Sequence, residues 1–325
     1  MVAHPSAVAA GLLVALGASP SGVVPVAAQV LPDRHVQLDP LADHALDTLG
    51  TTWLTGARLY AEFARNTPGD ADHRWVARTG GVAELVRWDS SASLMIVGTM
   101  EVVIDPNNDI TFNPRAIFWE EGLMAGFGLT RDVSLQAGYI HRCKHDIDNL
   151  EIVELDRGRE QRTLIYSGVI TRLLVRDAAI VRGDWAITGS GSVRNDFFLH
   201  LLDDRRDGAT RGVGLDFESM IDALTLSGRI EAGPAGAPWR VHATAAVMAT
   251  AFGAERGFSE RFGDVTILGS VPFVELGIDL VNPVGSTFTL FARGEWQRDA
   301  GIRSRPTGAS LAMIGVRLSD TRGIW

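Results

Sequence analysis

The stretch from Ser134 to Asn149, SLQAGYIHRCKHDIDN, holds the only cysteine and the only lysine of the chain and two of its eight histidines. An imidazole beside a thiol is a nucleophile and its proton acceptor. Histidines followed by Asp146 and Asp148 are also donor types for a cation. If this stretch is a strand, side chains alternate between faces. Leu135, Ala137, Tyr139, His141, Cys143 and His145 then share one face, and Gln136, Gly138, Arg142 and Lys144 the other. His141 and Cys143 stand side by side, roughly 6 to 7 Å apart at Cβ. His141 and His145 lie ~13 Å apart, too far to share an ion, so the feasible metal set is His145, Asp146 and Asp148, whose oxygens suit calcium.

What this array can do depends on what the apolar stripe leading into it faces. From Thr55 onward the chain breaks into long segments, many of period two, separated by Gly, Asp, Asn and Pro clusters. In Ser286 to Gln297, Phe288, Leu290, Ala292 and Trp296 oppose Thr287, Thr289, Arg293, Glu295 and Gln297. Trp239, Val241, Ala243, Ala245 and Val247 oppose Arg240, His242 and Thr244, and Leu224, Leu226 and Ile230 oppose Thr225, Arg229 and Glu231. Strands of soluble sandwiches average only about five or six residues, whereas a tilted strand crossing a bilayer needs ~9 to 11, with apolar side chains outward and polar ones in the lumen.

The reading is therefore an all-β protein, an antiparallel transmembrane β-barrel of about 12 strands occupying residues 55–325. The segments are Ala57 to Arg65, Val76 to Trp88, Leu94 to Ile104, Arg115 to Leu129, Val133 to His145, Arg162 to Val175, Ala179 to Val193, Val213 to Glu231, Pro238 to Ala251, Val265 to Leu280, Ser286 to Gln297 and Ala309 to Leu318. Tyr60, Trp88, Trp119, Tyr139, Trp185, Trp239 and Trp296 fall near segment ends, as interfacial girdles require. The connections at Asp146 to Arg159, Asn195 to Thr210, Ala254 to Phe262 and Asp299 to Pro306 are expected on the extracellular side. Arg229, Arg240, Arg293 and Arg317 share the polar faces with Glu231, Glu275, Asp279 and Glu295, the makings of a lumen ion-pair network.

Residues 1–28 read as a signal peptide, with an apolar run from Ala7 to Ala18 and small residues at Val26-Ala27-Ala28. Residues 29–54 read as a periplasmic or plug-like lead-in. The expected location is the outer membrane, with membrane lipid and the barrel assembly machinery as partners. A net charge of -9 and a pI near 5.4 argue against nucleic acid. There is no Walker loop, dinucleotide fingerprint or Cys-x-x-Cys pair.

With a barrel around it, the Leu135–Ala137–Tyr139 stripe faces lipid, and His141 and Cys143 follow on the same outer face. This arrangement resembles the outer-membrane phospholipase A and lipid A deacylase type of barrel hydrolase, in which a His-x-Ser pair on one strand faces the lipid. The resemblance covers the barrel class, the strand count and the His141-x-Cys143 triplet, with a thiol where that family has serine and Lys144-His145 where the phospholipase has Asn-Gly. It implies His141 as general base, Cys143 as nucleophile and an acid from the following stretch, where Glu151, Glu154, Asp156 and Glu160 are available and Glu154 is the candidate. The first reading of function is an envelope protein, structural or a narrow channel, with no assignable substrate; the alternative is a lipid-acyl hydrolase working at the outer wall, and a third is a soluble periplasmic β-sandwich, which would be released without detergent.

Overall fold

A computed structural model describes residues 51–67, 74–89, 91–105, 113–130, 132–146, 162–205, 220–253, 265–282, 286–297 and 309–320. The proposed signal peptide and most of the lead-in, Asp148, Glu154 and the terminal Trp325 lie outside them. The twelve strands are β1 (Thr51–Asn66), β2 (Trp75–Trp88), β3 (Ala92–Asp105), β4 (Asn113–Gly128), β5 (Val133–Asp146), β6 (Arg162–Arg182), β7 (Trp185–Arg205), β8 (Met220–Pro234), β9 (Trp239–Phe252), β10 (Thr266–Val281), β11 (Thr287–Gln297) and β12 (Ala309–Asp320). Each pairs antiparallel with its sequence neighbours and β1 closes on β12, so the sheet has no free edge. β1 begins at Thr51, inside the stretch read as lead-in.

The alternation fixes which face is which. Leu226, Val241, Phe288 and Leu290 are exposed, while Glu62, Arg78, Glu275, Arg293, Glu295 and Arg317 are buried. An apolar exterior and a charged interior invert a soluble protein and fit a wall bathed in hydrocarbon. Phe63, Trp75 and Trp119 mark the rim with the long connections; Trp88, Phe127, Trp185 and Trp239 mark the rim with the short turns. β2 runs from one girdle to the other in 14 residues. At ~3.3 Å per residue and a ~40° tilt this rises roughly 35 Å, enough for a ~30 Å hydrocarbon core and its margins. Tyr60 departs from the expected girdle: it alternates with outward Leu59 and Ala61 and is buried inside.

Two expected boundaries move. The break expected between Val175 and Ala179 is a bulge within β6, and the turn comes at Gly183-Asp184, where Gly183 has φ 61°. Only glycine adopts that left-handed conformation without steric cost. The long connection expected from Asn195 starts later, because β7 continues to Arg205.

Inside, ion pairs join strands that are not neighbours. Arg293 on β11 donates to Glu62 on β1 at 2.7 Å, Arg317 on β12 to Glu275 on β10 at 2.6 Å, and Arg229 on β8 to Asp279 on β10. Arg78 joins Glu62, Glu101 and Glu295. All eight lumen charges anticipated from sequence enter ion pairs, and Glu62, Arg78, Glu101 and His242 join them. Buried apolar clusters fill other levels, one of Val82, Met95, Met124, Ile140 and Ile170, another of Ala64, Val76, Phe291, Leu311 and Met313.

Candidate functional site

His141 lies on the outer face of β5, because its neighbour Arg142 points inward and is 2% exposed. Cys143 shares that outer face but is 1% exposed, set between Trp119 on β4 and Ile165 on β6. The thiol is thus enclosed by the wall. The structure brings a different hydroxyl to His141: Ser167 of β6, whose Oγ lies 2.8 Å from Nδ1. On the other side of His141, directly opposite in register, is Glu121 of β4. Directly opposed residues on antiparallel strands have Cβ atoms ~4.5 to 5.5 Å apart. Glu121 is exposed while Glu120 is buried, so the two adjacent carboxylates divide between lipid and lumen.

Glu121, His141 and Ser167 therefore form one row across β4, β5 and β6 on the lipid side. The row nearer the long-connection rim is Trp119, Cys143 and Ile165, and the row towards the membrane centre is Leu123, Tyr139 and Val169. Tryptophan rings favour the boundary between head groups and hydrocarbon, so a row just beneath Trp119 sits near the depth of lipid esters. An ionisable carboxylate at that depth of the apolar wall is costly unless it has a task or a partner.

The ladder is irregular here. β5 and β6 pair from Val133 with Val175 to Ile140 with Gly168, and pairing resumes only at Cys143 with Ile165. His141 and Arg142 fall in the gap. Between β6 and β7 the register shifts at the same place, Ser167 facing His200 and Gly168 facing Phe198, which leaves Leu199 as the extra residue of a bulge. Gly168 permits this approach: a Cβ there would lie 1.9 Å from the Phe197 carbonyl oxygen. Bulges re-aim side chains and concentrate beside active sites.

Of the residues singled out from sequence, His141 is placed as expected. Cys143 is on the expected face but enclosed, and Glu154 and Asp148 lie outside the described residues. His145 and Asp146 close β5. Among the described residues no three His, Cys, Asp or Glu side chains converge on a point that could hold a metal ion; the candidate set of His145, Asp146 and Asp148 for a divalent cation such as calcium reaches beyond those residues. Ser167 and Glu121 were not singled out as site residues. Their signals were present: a hydroxyl between outward Ile165 and Val169, and a second glutamate on a strand whose lumen face already had one.

No family model and no curated protein matches the chain. Among solved structures it is similar to LpxR from Salmonella typhimurium, at 9% identity and a TM-score of 0.41 over 81% of this chain and 99% of that one. It is similar to the outer membrane phospholipase A from Escherichia coli, at 11% identity and 0.40 over 82% and 92%. The beta domain of the Bordetella autotransporter BrkA stands equally near, at 11% and 0.40 over 83% and 100%. Likeness at this level extends to barrel architecture and no further. The class is that of an outer-membrane β-barrel, defined by the chain's own closed wall, apolar belt and charged interior.

Proposed function

We propose that this barrel acts at its outer wall, as a hydrolase of lipid acyl esters, with Ser167 as nucleophile, His141 as general base and Glu121 as the acid that holds the imidazolium. The observation that carries the reading is the 2.8 Å contact of Ser167 Oγ with His141 Nδ1, in register with Glu121. A serine hydroxyl is a weak nucleophile until a base takes its proton, and a carboxylate beyond the base stabilises the charge so formed.

In the reaction, Oγ attacks the ester carbonyl carbon while its proton passes to Nδ1, which leaves Nε2 as the nitrogen available to Glu121. The tetrahedral intermediate collapses, the C–O bond to the alcohol breaks, and the alcohol takes the proton from Nδ1. Water then cleaves the acyl-serine by the same steps. The oxyanion needs donors aimed at it, and the interrupted ladder and the bulge at Leu199 beside Ser167 are where such donors are to be sought. Ser167 is 1% exposed, so the side chains flanking it must part before an ester reaches Oγ.

That burial also favours a second reading, in which hydroxyl and imidazole only satisfy each other on an apolar wall. One experiment separates the two. The full chain is reconstituted in phospholipid vesicles, fatty-acid release is followed, and a fluorophosphonate is used to label the reactive serine. Hydrolysis reads as release lost in Ser167→Ala and reduced roughly 10² to 10⁴-fold in His141→Ala, with label on Ser167 alone. Undiminished release in Ser167→Ala, or no label on that residue, leaves the passive reading. Conduction through the lumen is the less favoured reading, since buried ion pairs between strands two or three apart crowd its wall; the same vesicles should leak no small solutes.

A further inference from the structure

Behind the outer row, on the lumen side of the same backbone, lies a separate buried cluster of four charges. Arg142 donates to Glu120 and, at 3.0 Å, to Asp196. Arg194 donates to Asp196 at 2.9 Å and to Glu120 at 3.4 Å. All four side chains are under a tenth exposed. Because side chains alternate, Glu120 and Arg142 stand back to back with Glu121 and His141. Arg142 is on β5 and Asp196 on β7, so this contact passes beneath β6, the strand that carries Ser167.

β6 keeps one register with β5 on both sides of this point, but two rungs between them are missing. Its ladder to β5 is open beside Ser167, and its ladder to β7 shifts by one residue there. The flanking pairs set His141 opposite Ser167, while the two missing rungs leave their separation without a local backbone tie. We infer that the Glu120–Arg142–Asp196–Arg194 cluster is a positioning brace, which clamps β5 to β4 and β7 across the irregular segment and so holds His141 at hydrogen-bond distance from Ser167. The inference rests on the hydrolase reading for its catalytic consequence, but the geometry it describes exists without turnover. Arg142 touches no substrate; it acts through His141.

The test compares Arg142→Met with Arg78→Met, which removes an arginine of the other lumen network, each refolded in detergent and checked for the folded form by its heat-modifiable gel migration. With a soluble short-chain ester, Arg142→Met should lower kcat about 10²-fold, the scale of a misplacement near 1 Å. KM should stay within about twofold, Arg142→Lys should recover part of the loss, and Arg78→Met should keep kcat. Unchanged kcat in Arg142→Met, or an equal loss in both methionine variants, overturns the brace. If the wild-type chain shows no Ser167-dependent turnover, the hydrolase reading fails separately. The brace is then judged from the NMR resonances of the His141 ring: displacement in Arg142→Met supports it, and identical resonances overturn it.

Discussion

Arg78 on β2 donates from Nη2 to Oε1 of Glu295 on β11 at 2.9 Å, with β1 and β12 lying between them along the wall. The same guanidinium reaches Glu62 at 3.1 Å and also bonds Glu101. A buried pair is weak evidence of net stability, but removing one partner costs about 3 to 5 kcal/mol, even though Glu62 keeps Arg293 and Arg317 here. Arg78→Met should lower the free energy of urea unfolding by that amount. A change under about 1 kcal/mol would mean that water already solvates these carboxylates.

Gly168 and Gly98 make opposite predictions. A Cβ at Gly168 would collide with the Phe197 carbonyl oxygen, which belongs to backbone and cannot swing aside. Gly168→Ala should push β7 outward, loosen the Ser167–His141 contact and cost at least about tenfold in activity, or about 1.4 kcal/mol of barrier. A Cβ at Gly98 meets nothing nearer than the Glu120 carbonyl oxygen at 3.9 Å. Gly98→Ala should leave turnover within about twofold. Ester kinetics on both variants check the pair, and a tolerant Gly168 would show that the bulge has no part in aiming Ser167.

Cys143 should be dispensable. Cys143→Ala and Cys143→Ser should hydrolyse esters at the wild-type rate, and the native thiol, 1% exposed, should resist a maleimide in intact vesicles yet react after unfolding. Loss of turnover in the alanine variant would return the thiol to the mechanism.

Leu290, 50% exposed on β11, belongs to the lipid-facing belt. Arginine there should cost roughly 2 to 4 kcal/mol if the residue lies near the bilayer midplane. Folding yield into vesicles of known thickness measures it, and an unaffected yield would place Leu290 outside the membrane.

His242 sits with Nδ1 2.9 Å from Asp279 and Nε2 3.0 Å from Glu275. Both ring nitrogens face carboxylate oxygens, which an imidazole satisfies fully only with both nitrogens protonated. His242→Leu removes this bridge and leaves the two carboxylates to Arg229, Arg293, Arg317 and Thr289. It should destabilise the barrel by about 1 to 3 kcal/mol in thermal unfolding. A neutral result would show that the arginines suffice.

Period two made much of this molecule legible in advance. Phe288, Leu290 and Val241 announce an outer face, and Arg293, Glu295 and Arg317 an inner one, because each side chain's surroundings depend on its own strand. The β6–β7 hairpin was less legible. Arg176-Asp177 has turn composition, yet cross-strand pairing carries the chain through it as a bulge and turns at Gly183. The site was half legible for the same reason. His141 is placed by its own strand, but its meeting with Ser167 depends on the register between β5 and β6, which no local pattern encodes. Nor could composition say that Trp119 and Ile165 would enclose Cys143.

The closure of β1 on β12 also governs how the protein must come into being. β1 waits for β12, so a nascent chain that stops short of β12 presents two raw edges able to bind a stranger. Until β12 is in place, the wall therefore stays open along one seam.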